Sequence, residues 1–262
     1  MPILNKCFLV LGTLVLFNFF SLSAQETKAE TPHVVLEDSV IKNNNYSIGY
    51  KQLIVPTLFI GIGFASLDNH RLKDVNTRIK KGVLESGFKR TKLDDYSQYV
   101  PAAAVYGLNA LGIKGEHNYR GITIIYATSM LVSSALVTTI KRTVKEPRPD
   151  GGNRYSFPSG HTSTAFVAAH FMYKEYRNKN FWLSISGYPF AVFTGVYRVI
   201  NNRHWASDVV AGAGFGILST ELGYWLYPKI NKIIPGGRDN KSAMMLPFYK
   251  DGAYGVSIVK NF

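Results

Sequence analysis

The chain alternates between apolar segments of unequal length and polar, mostly basic connections. Cys7 to Phe20 is an almost unbroken apolar run, preceded by Lys6 and followed by the small residues Ser21-Leu22-Ser23-Ala24. That order predicts an export signal over residues 1–24, cleaved before Gln25, or the same segment kept as an anchor. Residues 25–50 are polar, with an Asn43-Asn44-Asn45 run, and predict a linker. Six further apolar segments follow: Leu53–Leu67, Tyr99–Leu111, Tyr119–Ile140, Thr162–Tyr173, Phe181–Val196 and Val209–Tyr227. A complete membrane crossing needs about 20 apolar residues, so several of these are short on their own. Small and polar residues recur within them: Ser129, Ser133, Ser134, Ser163, Thr164, Gly212, Gly214 and Gly216. Such residues let helix backbones approach closely inside a bilayer. The predicted fold is all-α, a multi-helix transmembrane bundle with its helical domain at 51–227 and a tail at 228–262.

Two stretches break this pattern. Asp68 to Asp95 is rich in Lys and Arg, with Leu72, Val75, Ile79, Val83 and Leu84 near helical spacing. It predicts an amphipathic helix, lying on a membrane surface or solvated. In the tail, Tyr249, Tyr254, Val256, Ile258 and Phe262 alternate roughly with polar or small residues around Asp251-Gly252, which predicts a short β-hairpin.

Composition narrows the chemistry. The single cysteine, Cys7, excludes internal disulfides, a zinc–cysteine cluster and a cysteine nucleophile. The formal charge of +13 points to an anionic partner, or to the positive-inside bias of membrane proteins.

Three clusters within residues 141–208 then carry specific chemistry. The first is Lys141 followed by Arg148-Pro149, two cations at the end of the long segment, with Pro147 and Pro149 preventing helix continuation. Two fixed cations suit a phosphate dianion, and arginine binds two of its oxygens at once. The second is Pro158-Ser159-Gly160-His161, directly before a helical pattern. A helix start there offers free N–H groups to an anion, Gly160 keeps side chains out of the way, and His161 suits a general acid. The third is Arg198, His204 and Asp208. Asp208 would hold one nitrogen of His204, freeing the other to attack, while Arg198 adds a third cation. His170, nine positions after His161, falls on another side of that helix and reads as structural; Glu116-His117 is too isolated for a metal site.

Taken together, these residues resemble the type 2 phosphatidic acid phosphatase (PAP2) family, which includes bacterial class A acid phosphatases and is related to vanadium haloperoxidases. The matching positions are Lys141, Arg148-Pro149, Pro158-Ser159-Gly160-His161, Arg198, His204 and Asp208, while Tyr197 stands where the family usually has serine. Asp94-Asp95, Asn201-Asn202 and Trp205 further resemble a subgroup from Bacteroidetes-type bacteria. The resemblance implies a helical bundle of the PAP2/haloperoxidase type, a phosphohistidine intermediate and hydrolysis by water, with His204, His161 and Asp208 catalytic and Lys141, Arg148, Ser159, Gly160 and Arg198 on the phosphate. It implies no metal and no cofactor. The expected partners are a lipid phosphate and the bacterial inner membrane, with no nucleic acid; oligomeric state is not encoded.

An active site on the periplasmic face is expected. If the signal delivers Gln25 outside and all six segments cross, the three clusters fall on the cytoplasmic side. One segment must then not cross, and Leu53–Leu67, interrupted by Pro56, Gly61 and Gly63, is the expected exception. Three functions stay open: an integral-membrane phosphatase for lipid A, undecaprenyl pyrophosphate or a glycerophospholipid phosphate; a soluble periplasmic acid phosphatase; and a non-catalytic lipid-binding protein. A vanadium peroxidase is a weaker fourth.

Overall fold

A computed structural model describes Tyr46, residues 48–234 and two C-terminal strands. The expected signal and most of the linker lie outside the described residues. The described chain is mostly helical: α1 (Tyr50–Asp68), α2 (His70–Glu85), α3 (Leu93–Ser97), α4 (Val100–Ala110), α5 (Tyr119–Val144), α6 (Gly160–Tyr176), α7 (Phe181–Ile185), α8 (Tyr188–Ile200) and α9 (Ala206–Ile233). Strands β1 (Ala243–Lys250) and β2 (Ala253–Lys260) pair antiparallel, with Ala243 opposite Lys260.

Helix α9 is the axis, packed against α1, α5 and α6. Its glycines make that possible. A Cβ on Gly212 would lie 2.5 Å from the Ser159 carbonyl oxygen, and one on Gly216 would lie 2.4 Å from that of Ser163. On the α1 side, a Cβ on Gly63 would lie 2.4 Å from Ala211 Cβ. Close backbone approach of this kind replaces bulky apolar packing where lipid removes the hydrophobic drive between helices. The outward faces stay apolar: Ile54, Val55, Leu58 and Ile62 on α1, Leu131 on α5 and Val192 on α8 are exposed.

Three described helices, α1, α5 and α9, are long and apolar enough to cross a membrane. The interruption expected within Leu53–Leu67 is not found. Pro56 does not interrupt the helix but sits buried within a continuous 19-residue α1. A proline inside a helix forfeits a hydrogen bond, and contact along α9 offsets that loss. Of the other expected spans, Tyr99–Leu111 holds the 11-residue α4, and Phe181–Val196 breaks at Ser186-Gly187 into α7 and α8. The long helix also runs past its expected end at Ile140 to Val144, capped by Lys145 in the left-handed region.

A second buried polar cluster ties the bundle together at the end away from the predicted site residues. Glu221 accepts from His170 Nε2 (2.7 Å) and Lys174 Nζ (3.1 Å), and also bonds the Tyr46 hydroxyl. Glu175 accepts from Tyr224 (2.6 Å) and bonds His117 (2.8 Å). His170 and His117 therefore have structural partners, as expected of His170.

Candidate active site

The three clusters meet at one end of the bundle, where α5 and α8 finish and α6 and α9 begin. Each helix end contributes by a local device. Lys141 occupies the last turn of α5, and its ammonium donates to the carbonyls of Tyr155 (2.7 Å) and Ser156 (3.2 Å). An ammonium has three donors, so one remains for a ligand. The 145–159 loop is held by Ser156 N–H to the Glu146 carbonyl (2.9 Å) and Arg148 N–H to the Asn153 carbonyl (2.9 Å). Burial first, and then the charge of Arg198 at the end of α8, hold its Arg148 below the ordinary value.

Ser159 caps α6: its side chain accepts from Thr162 N–H, and its own N–H donates to the Asp208 carbonyl (2.9 Å). The N–H of Ser159 is thus committed to the fold, while its hydroxyl caps the helix and lies 2.9 Å from the Thr162 hydroxyl. The N–H groups of Gly160 and His161 follow in the first turn, where helix geometry leaves them without intrahelical acceptors.

His204 is buried, and its Nδ1 lies 2.8 Å from the Ser156 carbonyl. A carbonyl only accepts, so Nδ1 carries the proton and Nε2 presents its lone pair. Burial first, then Lys141, Arg198 and Arg148, hold the imidazole well below the ordinary histidine range and keep it neutral. The direct bond expected from Asp208 is not made: its Oδ2 lies 3.7 Å from His204 Nδ1 and instead accepts from Trp205 N–H (2.9 Å) and from the Ser156 hydroxyl. Asp208 therefore acts on His204 through Ser156, a residue without a sequence motif of its own.

Two buried donors have no hydrogen-bond partner here, Arg148 Nε and Arg198 Nε. Leaving such groups unpaired costs about 1–3 kcal/mol each, which an anion in the space between them would recover. Arg198 is anchored from behind by Asp94, whose Oδ2 lies 2.8 Å from Nη1. Asp94 and Asp95 come from α3, and the sequence drew notice to them only through the subgroup likeness. Tyr197, the departure from the family pattern, packs on Phe193 with ring centroids 4.4 Å apart. Among the described residues there is no group of three or more His, Cys, Asp or Glu placed to hold a metal. The arrangement can bind a tetrahedral oxyanion with three cations and a helix start, beside one neutral imidazole and a second histidine, His161.

A helical bundle with this arrangement has a counterpart among known families: residues 122–232 match the model of the PAP2 superfamily. Among individual proteins, a lipid A 1-phosphatase of Porphyromonas gingivalis is 43% identical over 142 residues, which are 54% of this chain and 32% of that protein. A lipid A 1-phosphatase of Rhizobium etli is 28% identical over 147 residues, 48% of this chain and 60% of that protein. The chain thus spans between 32% and 60% of the length of these curated relatives. A PAP2 type phosphatidylglycerolphosphate phosphatase from Bacillus subtilis has a solved structure that is 22% identical, covers 72% of this chain and 100% of its own, and superposes with a TM-score of 0.44.

Proposed function

We propose that the protein is a metal-independent membrane phosphatase that removes phosphate from a lipid, with lipid A as the first substrate to test. The observation that carries this reading is the pair of buried, unpartnered arginine Nε–H groups on Arg148 and Arg198, whose charges help hold the carbonyl-fixed His204 neutral. Lys141, Arg148, Arg198 and the first amides of α6 hold the phosphoryl group. His204 Nε2 attacks phosphorus as the bond to the leaving oxygen breaks, and His161 gives that oxygen a proton. Water then attacks the phosphohistidine, His161 takes a proton from it, and the P–N bond breaks to restore His204. Asp208 supports the nucleophile through Ser156.

The lipid half of the proposal rests on apolar helix faces exposed beside the site. Val75 and Ile79 on α2 are exposed, and Lys80 of the same helix donates to the Pro149 carbonyl (2.7 Å) in the site loop. A substrate anchored in the bilayer would therefore meet the phosphate site at the membrane surface. The 43% identity to a lipid A 1-phosphatase favours lipid A over undecaprenyl pyrophosphate or a glycerophospholipid phosphate. We further propose a transmembrane bundle over 51–227, a stable C-terminal hairpin, and a site on the periplasmic face of the inner membrane. Purified protein given lipid A, undecaprenyl pyrophosphate, phosphatidylglycerophosphate and phosphatidic acid, with EDTA present, should release phosphate fastest from lipid A. His204→Ala should release none. Equal release by the variant, or dependence on added metal, would overturn the reading; activity freed by osmotic shock without detergent would favour a soluble acid phosphatase.

A further inference from the structure

The phosphatase mechanism leaves one charged contact unexplained. Helix α3 is fastened to the end of α8: Asp94 bonds Arg198 Nη1 (2.8 Å) and Asn201 Nδ2 (3.1 Å), Asn201 bridges to the backbone of Thr91, and the Ser97 and Thr194 hydroxyls lie 2.7 Å apart. The next carboxylate, Asp95, consequently faces α6. Its Oδ1 lies 2.9 Å from His161 Nε2 and 3.7 Å from Arg198 Nη1. The two acids differ sharply in setting. The Asp94 side chain is 1% exposed, whereas that of Asp95 is 46% exposed. Asp94 is a buried anchor, and Asp95 stands at the mouth of the site.

We propose, resting on the phosphatase reading above, that Asp95 is a positioning residue for the general acid, holding His161 through Nε2 so that Nδ1 presents the proton to the leaving oxygen. In the first step the Nδ1 proton passes to that oxygen while the P–O bond breaks, leaving His161 neutral with Nε2–H still donated to Asp95. In the second step Nδ1 accepts a proton from the attacking water, and the cycle closes. The carboxylate also favours the charged imidazole. Burial, followed by Arg198 of α8, pushes His161 below the ordinary histidine range, and Asp95 and Asp94 of α3 oppose that shift. The other charged groups lining the opening beside Asp95 are Arg90, Lys92, Asp150 and Arg203, while Lys141, Arg148 and Asp208 lie near His204.

The test compares wild type, Asp95→Asn and Asp95→Glu, in detergent, on p-nitrophenyl phosphate and on phosphatidic acid across pH. The first has a good leaving group that needs little protonation, the second a poor one. We expect Asp95→Asn to lower kcat on phosphatidic acid on the order of tenfold, a fraction of the full acid contribution. On p-nitrophenyl phosphate it should stay within about threefold of wild type, since little proton transfer is needed there. The alkaline limb of its kcat/KM profile should move to lower pH, and Asp95→Glu should restore part of both effects. Equal losses on the two substrates with an unmoved alkaline limb would overturn the inference, as would faster turnover, which would mark Asp95 as an anion that substrate must displace. If Asp95→Asn does not fold, Asp95→Glu decides alone: a larger loss on phosphatidic acid than on p-nitrophenyl phosphate, with the alkaline limb moved part of the way to lower pH, supports the inference, and equal losses or no change on both substrates overturn it. Wild type that releases phosphate from neither probe nor from lipid A would overturn the phosphatase reading itself and this inference with it. Activity lost in His204→Ala but untouched in Asp95→Asn would overturn only the inference.

Discussion

His204 shows how a single residue is prepared by its surroundings. The Ser156 carbonyl fixes its tautomer at 2.8 Å, and burial with three nearby cations keeps it neutral. A group whose folded value is lowered stays unprotonated until pH falls below its ordinary range. We therefore expect the acid limb of kcat/KM to lie below the usual histidine range of about 6.5. His161 has the opposite requirement, because it must be protonated to act. His161→Ala should cost about 10²–10⁴ in kcat on a lipid monoester and far less on p-nitrophenyl phosphate. Comparable losses on both would remove it from the acid role. The cations and both histidines were legible in the sequence because each sits in a short local pattern at a helix end. Ser156 and Asp95 were not: one acts through a backbone carbonyl, which no side-chain pattern records, and the other reaches His161 across 66 positions of chain.

Among the helices, α9 sets the geometry of the site from its first turn, where Asp208 lies, to its glycine-lined flank. A side chain on Gly216 would press on the Ser163 carbonyl and Phe166 Cβ of α6, with a Cβ already 2.4 and 2.8 Å from them. Gly216→Val should therefore destabilise the bundle by at least about 1–3 kcal/mol and displace α6, with loss of activity. Thermal unfolding in detergent measures this; an unchanged midpoint would show that α6 and α9 do not pack as described. The sequence made the glycine and serine faces visible through their small size, but it misplaced boundaries. Ile140 looked terminal because the charged Lys141 and Arg142 follow it, yet helices readily carry basic residues in their last turn, where they face the negative end of the dipole. Pro56 looked like an interruption, yet contact with α9 keeps α1 continuous.

The whole molecule places every group proposed to bind phosphate at one end and the Glu221–Lys174–His170 cluster at the other. The crossing pattern was the least legible property in sequence, since it depends on which marginal helices insert together. A crossing α1 puts Tyr46 and the site on opposite faces. Export of Gln25 combined with a crossing α1 would then place the site in the cytoplasm, whereas a site facing the periplasm requires that one of these two conditions fail. Reporter fusions after Lys114 and Gly151 should report cytoplasm and periplasm respectively; a cytoplasmic signal at Gly151 would overturn the proposed orientation.

The chemistry itself is tested most directly by trapping the phosphoenzyme. Wild type mixed briefly with a lipid A substrate carrying ³²P at the scissile phosphate and quenched in alkaline detergent should hold acid-labile, base-stable label, the signature of phosphohistidine. His204→Ala should hold none. Label that persists in His204→Ala, or a linkage that survives acid, would contradict the assignment of His204 as the nucleophile.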